Sequence, residues 1–222
     1  MSSPFIRPYN AAHDFSAAIH IFNQTAHSAI QFEPALTIGS HIYCRPYLLL
    51  CPSTCLVLDS GTGQAVGYII GTVSTAEFVK QYQEEFIPGL DPRAVPRPTD
   101  EEGKSPDDVV VTEMKKAAYD PEGALLHRGT PQLLERYPAH LHIDILPEYQ
   151  RRGFGMQMIE QFVETLKMHG ARGVHLGLVA TNTGARRFYE RLGFRVFDEV
   201  MDGGRSGEVG REGDSLYMTK EL

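Results

Sequence analysis

Six residues in the second half of the chain, Gln150-Arg-Arg-Gly-Phe-Gly155, have the composition of an anion-binding turn. They lie between an alternating apolar segment, Ala139 to Leu146, and a stretch of helical periodicity, Phe154 to His169. A strand that ends in a glycine-bearing, doubly basic turn and opens a helix can hold a diphosphate through its backbone N–H groups. The first amides of a helix have no partner inside it, and the aligned peptide dipoles leave partial positive charge there. Gly153 and Gly155 let the backbone come close to phosphate oxygens, and Arg151 and Arg152 add charge. A plain helix start has the same ingredients. Two other phosphate motifs do not fit: Met156 to Met158 lack the third glycine of a dinucleotide fingerprint, and no Lys-Ser or Lys-Thr follows Gly155 as a P-loop requires.

A second group could move protons. His140, His142 and Asp144 recur at i, i+2 and i+4, so an unbroken strand turns all three to one side. A histidine with a pKa near 6.5 is matched to accept a proton at neutral pH, and a neighbouring carboxylate can orient it. The alternative is three hydrogen-bonded structural residues, with water relaying the proton. His175, on the next alternating segment (Val174 to Val179), shares that ambiguity. Beyond it, Ala185, Phe188, Tyr189 and Leu192 fall at i, i+3, i+4 and i+7, one face of a short helix that Gly193 can close. Asn182 suits the helix N-cap.

Taken together, the two segments closely resemble the acetyl-CoA-binding core of the GNAT superfamily of N-acetyltransferases. Its pattern is Arg/Gln-x-x-Gly-x-Gly/Ala followed by Asn-x-x-Ala-x-x-x-Tyr-x-x-x-Gly-Phe. Gln150, Gly153, Gly155, Asn182, Ala185, Tyr189, Gly193 and Phe194 match it in order. More narrowly, Tyr137 to Gln150 and Gly173-Val-His-Leu-Gly177 resemble the branch related to the acetyltransferase-like domain at the C-terminus of O-GlcNAcases. Ala139-His-Leu-His142 is similar to the two-histidine strand of arylalkylamine N-acetyltransferases, but one residue closer to the glycine loop. A slip of one residue reverses the face unless a bulge absorbs it.

The resemblance implies a mixed α/β fold, the GNAT acyl-CoA N-acyltransferase fold, with a central, mostly antiparallel sheet splayed at the cofactor site. It implies acetyl-CoA as co-substrate and direct ternary-complex transfer to a primary amine, without a metal. Cys44, Cys51 and Cys55 lie outside the motifs, so nothing points to a thiol nucleophile. Gln150, Arg151, Arg152, Gly153, Phe154 and Gly155 are the expected cofactor loop. A bulged strand is expected to offer backbone donors near Ile143 and Ile145 to the acetyl oxygen and the pantetheine amides. Asn182, Ala185 and Phe188 are expected cofactor contacts. Tyr189 is the expected general acid for the departing thiolate. A phenol near pKa 10 giving its proton to a thiolate near 8.5 is uphill by only about 2 kcal/mol; the competing role is packing on the helix's apolar face. His142 leads as general base, with Asp144 and His140 behind it.

These groups need a scaffold. A chain of 222 residues, 42% of them apolar, can bury a core of its own, and no break in composition divides it. We read residues 1–222 as a single domain with an inserted segment at about 75–138. Ile6-Arg-Pro-Tyr9 and the helical stretch through Phe15, Ile19 and Phe22 make an opening strand and helix. Cys55 to Asp59 and Ala65 to Ser74 make a hairpin around Gly61-Thr-Gly63, and Ser215 to Lys220 a closing strand. Within the insertion, Ala76 to Phe86 has helical character, Asp91 to Ser105 reads as loop, and Asp107 to Tyr119 as a short helix or an irregular strand. Its length suggests a cover over the cleft. Asp202 to Asp214, rich in glycine and charge, reads as a mobile loop.

Charge is unevenly placed. Residues 75–138 carry 13 acidic and 8 basic side chains, a net of −5, whereas residues 148–193 carry 7 Arg or Lys and 4 Glu, a net of +3. A basic loop below an acidic insertion would hold a polyanionic cofactor and draw cationic acceptors; the other reading is a solvated acidic surface. The overall charge of −7 disfavours nucleic acid. No run approaches a membrane span, and Met1 to Pro8 is too polar for a secretory signal, so a cytoplasmic protein is expected, with the nucleus also compatible. Three cysteines suit a reducing compartment, and Cys51 and Cys55 lack a second pair of metal ligands. A small-molecule amine is the favoured acceptor. A protein or histone lysine is the enzyme alternative, and a catalytically silent, acetyl-CoA-binding pseudo-acetyltransferase the other; oligomeric state is left open.

Overall fold

The computed structural model of the chain describes residues 3–99, 105–199, 201 and 215–222. The expected loop from Asp202 to Asp214 lies outside these. Strand β1 (Phe5–Pro8) leads into helix α1 (Ala11–Thr25), whose first turn is capped by the Asn10 side chain accepting from the Ala12 amide at 3.0 Å. Arg7 ties this start together. Its guanidinium donates to both oxygens of buried Asp14 on α1, at 2.6 and 2.9 Å, and to Asp59, at 2.9 Å. Two short helices follow, α2 (Ala35–Tyr43) and α3 (Arg45–Leu50), and then the hairpin of β2 (Leu56–Asp59) and β3 (Ala65–Thr72).

Four helices lie among the described residues of 75–138. Helix α4 (Thr75–Gln81) runs on as a wider turn through Phe86, and α5 (Pro106–Tyr119), α6 (Pro121–Leu125) and α7 (Gln132–Arg136) follow. The choice between helix and strand for Asp107 to Tyr119 falls to helix. A capping box explains it: the Ser105 hydroxyl accepts from the Asp108 amide at 3.2 Å while the Asp108 carboxylate accepts from the Ser105 amide at 3.0 Å. Met114 and Ala118 of α5 bury against Ala35 and Ile38 of α2. Gly39 permits this approach, since a Cβ there would stand 3.1 Å from both the Met114 and Phe22 side chains.

The remaining elements are β4 (Ala139–Ile145), α8 (Phe154–Met168), β5 (Gly173–Val179), α9 (Thr183–Arg191), β6 (Arg195–Val196) and β7 (Ser215–Glu221). They complete a seven-stranded sheet in the order β1-β2-β3-β4-β5-β7-β6. Every pairing is antiparallel except β4 with β5, which is parallel and limited to Ala139 opposite Val174 and His140 opposite His175. Beyond those two rows the strands part, as the splayed-sheet expectation requires. Helix α8 covers one face through Met158, Ile159, Phe162, Val163 and Leu166. Gly71 makes room for it, because a Cβ there would lie 2.7 Å from the Phe162 ring.

One expectation is corrected. The register of β3 against β4 runs from Gly67 opposite Ile145 to Thr72 opposite His140 without a shift, so β4 carries no bulge in this pairing; the irregularity in the sheet lies at Leu58/Asp59 in β2. An unbulged β4 keeps strict alternation. His140, His142 and Asp144 therefore share the face away from α8.

Candidate active site

The turn after β4 is built for backbone recognition. Arg151 (φ 57°) and Gly153 (φ 89°) both take left-handed conformations and swing the chain from the strand into α8. For a non-glycine residue this costs about 1–2 kcal/mol, an outlier of the kind that gathers at binding sites. Gly153 occupies the N-cap of α8 and supplies no side-chain cap, so the helix opens with amides that no side chain satisfies. The Arg152 guanidinium lies 5.6 Å from the Tyr149 ring centroid and 5.5 Å from that of Phe154. Gln150 turns inward: its side-chain amide donates to the Ile145 carbonyl at 2.7 Å and ties the loop to the strand end. At Gly155 a Cβ would stand 3.3 Å from the Phe188 ring and 3.8 Å from the Ile145 side chain, so this glycine lets α9 close on the loop.

The strand edge beside the loop is open. The Leu146 amide donates to the Val66 carbonyl of β3 at 2.9 Å. By alternation the amides of Ile143 and Ile145 point the other way, across the parting toward β5. Lateral separation of two strands, without a bulge, is what frees these donors. On the far bank Asn182 caps α9 by accepting from the Ala185 amide at 3.0 Å. Phe188 is half-buried, and buried Tyr189 packs edge-on against Phe188 and Phe194 at 5.1 and 5.4 Å between centroids. Burial pushes the Tyr189 phenol well above its ordinary range, and the nearby Asp144 charge adds to the shift.

Opposite α8, the parting opens into a cavity of about 580 Å³. His140, His142 and Asp144 of β4 line it together with His175 and Gly177 of β5 and Tyr82 and Leu125 from the insertion. Residues 75–138 thus contribute to the cavity wall. Among the described residues, no carboxylate of positions 75–138 and no Lys or Arg lines the cavity. Among the described lining residues Asp144 is the carboxylate present.

The three strand residues have different surroundings. Both ring nitrogens of buried His140 are engaged, Nε2 with the Tyr47 hydroxyl at 2.8 Å and Nδ1 with the Thr75 hydroxyl at 2.7 Å. Burial holds it neutral, and nearby His175 and His142 reinforce this. It has no free lone pair for a substrate proton, which removes it as a direct base. His142 is half-buried, contacts the Tyr47 hydroxyl through Nε2 at 3.2 Å, and is lowered by burial to about 4. Asp144 accepts from the Tyr68 hydroxyl at 2.5 Å. Burial raises its carboxyl to about 6, a rise the Tyr68 hydrogen bond moderates. His175 donates from Nδ1 to the Tyr137 carbonyl at 2.7 Å and is likewise lowered to about 4 by burial. Among the described residues no group of three or more His, Cys, Asp or Glu side chains is placed to hold a metal.

Tyr47, Tyr68 and Thr75 escaped the sequence reading. They lie 93, 76 and 65 positions from the strand residues they bond. Tyr47 sits in an apolar stretch and Thr75 at a helix start, so neither carries a local signal of its role.

Comparison with known proteins bears on the same region. The acetyltransferase (GNAT) domain family matches residues 117–196. The crystal structure of SsHAT aligns with a TM-score of 0.81 and 34% identity, covering 99% of this chain and 98% of that one. An uncharacterized N-acetyltransferase of Methanocaldococcus jannaschii, MJ1207, is 39% identical over 70 residues, 31% of this chain and 30% of that relative's length. The PaiA N-acetyltransferase of Thermoplasma acidophilum, solved in complex with coenzyme A, shares the fold at a TM-score of 0.55, with 14% identity and full coverage of both chains, 100% each.

Proposed function

We propose that this chain, which belongs to the GNAT acetyltransferase family, moves an acetyl group from acetyl-CoA to the primary amine of a small molecule in a direct ternary complex. The observation that carries the reading is the parting of β4 from β5, which joins a loop of free amides on one side to a half-open cavity with a carboxylate and a neutral histidine on the other. The residues present fit a CoA thioester. The left-handed turn at Arg151 and Gly153 exposes the first amides of α8 to a diphosphate, and Arg151 and Arg152 flank it. Phe154 and Gly155 would continue that wall, the Ile143 and Ile145 amides would serve the thioester carbonyl and pantetheine arm, and Asn182, Ala185 and Phe188 would hold the arm from α9.

Acetyl-CoA supplies the acetyl group as an activated thioester. The protein's part is to neutralise the amine, polarise the carbonyl and protonate the leaving sulfur. Asp144, ionised above about pH 6, attracts the acceptor's ammonium. Freeing an alkylamine of pKa 10.4 from its proton at pH 7 costs roughly 4.6 kcal/mol, and a desolvating cavity lowers that cost by disfavouring the cation. His142, neutral at this pH, takes the amine proton as the N–C bond forms. The backbone amides of Ile143 and Ile145 stabilise charge on the carbonyl oxygen. Burial keeps Tyr189 protonated and also makes it a weaker acid than an ordinary phenol, so transfer of its proton to the departing thiolate is more uphill than the free-phenol value implies.

The cavity favours a compact acceptor with one amine and an apolar or aromatic body. Phe22, Tyr43, Tyr47, Tyr82 and Tyr217 line it, and a second ammonium would find no further carboxylate among the lining residues. We also read residues 1–222 as one domain in the O-GlcNAcase-like branch, on the strength of Tyr137 to Gln150 and Gly173 to Gly177, and working in the cytoplasm or nucleus. No helix among the described residues is long and apolar enough to cross a membrane. Measuring free CoA release with a panel of arylalkylamines, polyamines, amino sugars and histone peptides tests the proposal. Turnover with small monoamines is the expected result. Turnover with peptides alone makes the protein a lysine acetyltransferase, and tight acetyl-CoA binding with no turnover makes it a silent binder.

A further inference from the structure

We infer that Tyr47, backed by His140 and Thr75, locks the His142 ring in the tautomer that presents Nδ1 to the acceptor amine. The inference rests on reading His142 as the general base. It follows from counting protons along a buried chain of hydrogen bonds. The Pro138 carbonyl can only accept, and it receives both the Thr75 amide, at 2.8 Å, and the Thr75 hydroxyl, at 2.7 Å. The threonine proton is thereby used. Its oxygen, 2.7 Å from His140 Nδ1, must accept, so His140 carries its proton on Nδ1. His140 Nε2 is then a bare lone pair and takes the Tyr47 O–H at 2.8 Å. Tyr47 has no second proton, and its oxygen faces His142 Nε2 at 3.2 Å. His142 must donate there. Its Nδ1 is left with the lone pair, on a ring that lines the cavity.

The reverse arrangement would leave two bare oxygens, of Thr75 and Pro138, facing each other at 2.7 Å with no proton between them. Tyr47 is also well held: it is 1% exposed and stacked on Phe78, with centroids 4.4 Å apart and ring planes 13° from parallel. When His142 acts, the amine N–H bond breaks and an Nδ1–H bond forms. The amine nitrogen bonds to the acetyl carbon as the thiolate leaves; no covalent bond of Tyr47, His140 or Thr75 changes, and the Nε2–H···O contact to Tyr47 strengthens because the donor is now cationic. Tyr47 is thus a positioning residue, acting through the base and not on substrate.

Nitrogen-15 NMR of the labelled histidine rings near pH 7 reads the assignment directly in the unmodified protein. His142 should show a protonated Nε2 and an unprotonated Nδ1, and His140 the opposite pattern. Tyr47→Phe keeps the stack on Phe78 but removes the hydroxyl. His142 should then become a tautomer mixture, and kcat should fall roughly 10- to 100-fold with acetyl-CoA affinity unchanged. Thr75→Ser should preserve both ring patterns, whereas Thr75→Val should lose that of His140. A protonated Nδ1 on His142 in the unmodified protein, or a His142 pattern that Tyr47→Phe leaves untouched, overturns the inference. If the patterns are as expected and yet His142→Gln leaves kcat unchanged, the tautomer assignment stands and the base reading falls, with Asp144 next in line.

Discussion

The two sides of the parting between β4 and β5 are made of different material. On the loop side the protein offers backbone: unpaired helix amides, a left-handed turn, and strand-edge N–H groups of residues whose side chains are ordinary. On the cavity side it offers side chains: neutral histidines, a raised carboxylate and tyrosines whose hydroxyls orient them. The first surface suits a cofactor shared by many enzymes, since any chain that makes the turn can make the contacts. The second depends on individual side chains. Its acid–base properties come from burial and from partners supplied by α3, β3 and α4, whereas the loop's geometry comes from a turn of six residues.

The contrast can be broken most forcefully at the loop. Gly153→Glu imposes a left-handed conformation on a side chain and places a negative charge where the α8 amides point. Calorimetry should show acetyl-CoA affinity reduced at least about 100-fold, while the histidine ring signals of the cavity stay in place. Retained affinity would mean that the diphosphate lies elsewhere. Tyr189→Phe tests the junction of the two sides. It should lower kcat roughly 10- to 100-fold with little change in acetyl-CoA affinity; a kcat left intact would reduce Tyr189 to packing.

On the cavity side, kcat/KM should rise with pH through about 6 as Asp144 ionises. Asp144→Asn should lose that limb and about tenfold in rate at pH 7, and persistence of the limb would move it to another group. The smallest expected effect is on stability. His142 and His175 have folded pKa values of about 4, below the ordinary 6.5. The unfolded chain therefore binds protons that the folded one refuses, so their contribution is complete above about pH 6.5 and is lost as pH falls toward 4. Asp144, raised from 3.8 to about 6, opposes this, because between those values the folded state keeps a proton that the unfolded chain releases. Thermal melts should show a net fall in Tm of roughly 5–10 °C from pH 7 to pH 4, steeper in Asp144→Asn. A flat profile would show that the histidines are less shielded than their packing indicates.

Much of this was visible in the linear chain, for a definite reason. The loop Gln150 to Gly155 and the α9 segment are contiguous, and their signals are glycine placement and apolar period, both local properties. The two-residue period of His140, His142 and Asp144 predicts a shared face, and they share one because β4 is unbulged in its pairing with β3. The bulge expected from the resemblance was wrong since freeing the Ile143 and Ile145 amides requires only that β5 diverge, and divergence is a relation between strands. The acidic composition of residues 75–138 likewise suggested a charged cover, but composition does not say which way a side chain points.

The chain's own order of residues therefore determined the elements, the glycine turn and the set of acid–base candidates, because each depends on neighbours within about one helical turn or a few strand positions. Tertiary structure alone decided which candidate keeps a free lone pair. His140 is occupied at both nitrogens, His142 at one, and Asp144 is held by Tyr68, through partners 65 to 95 positions away. Protonation state and tautomer follow from who fills the remaining hydrogen-bonding positions and how much water is excluded, and both are settled only when distant segments pack.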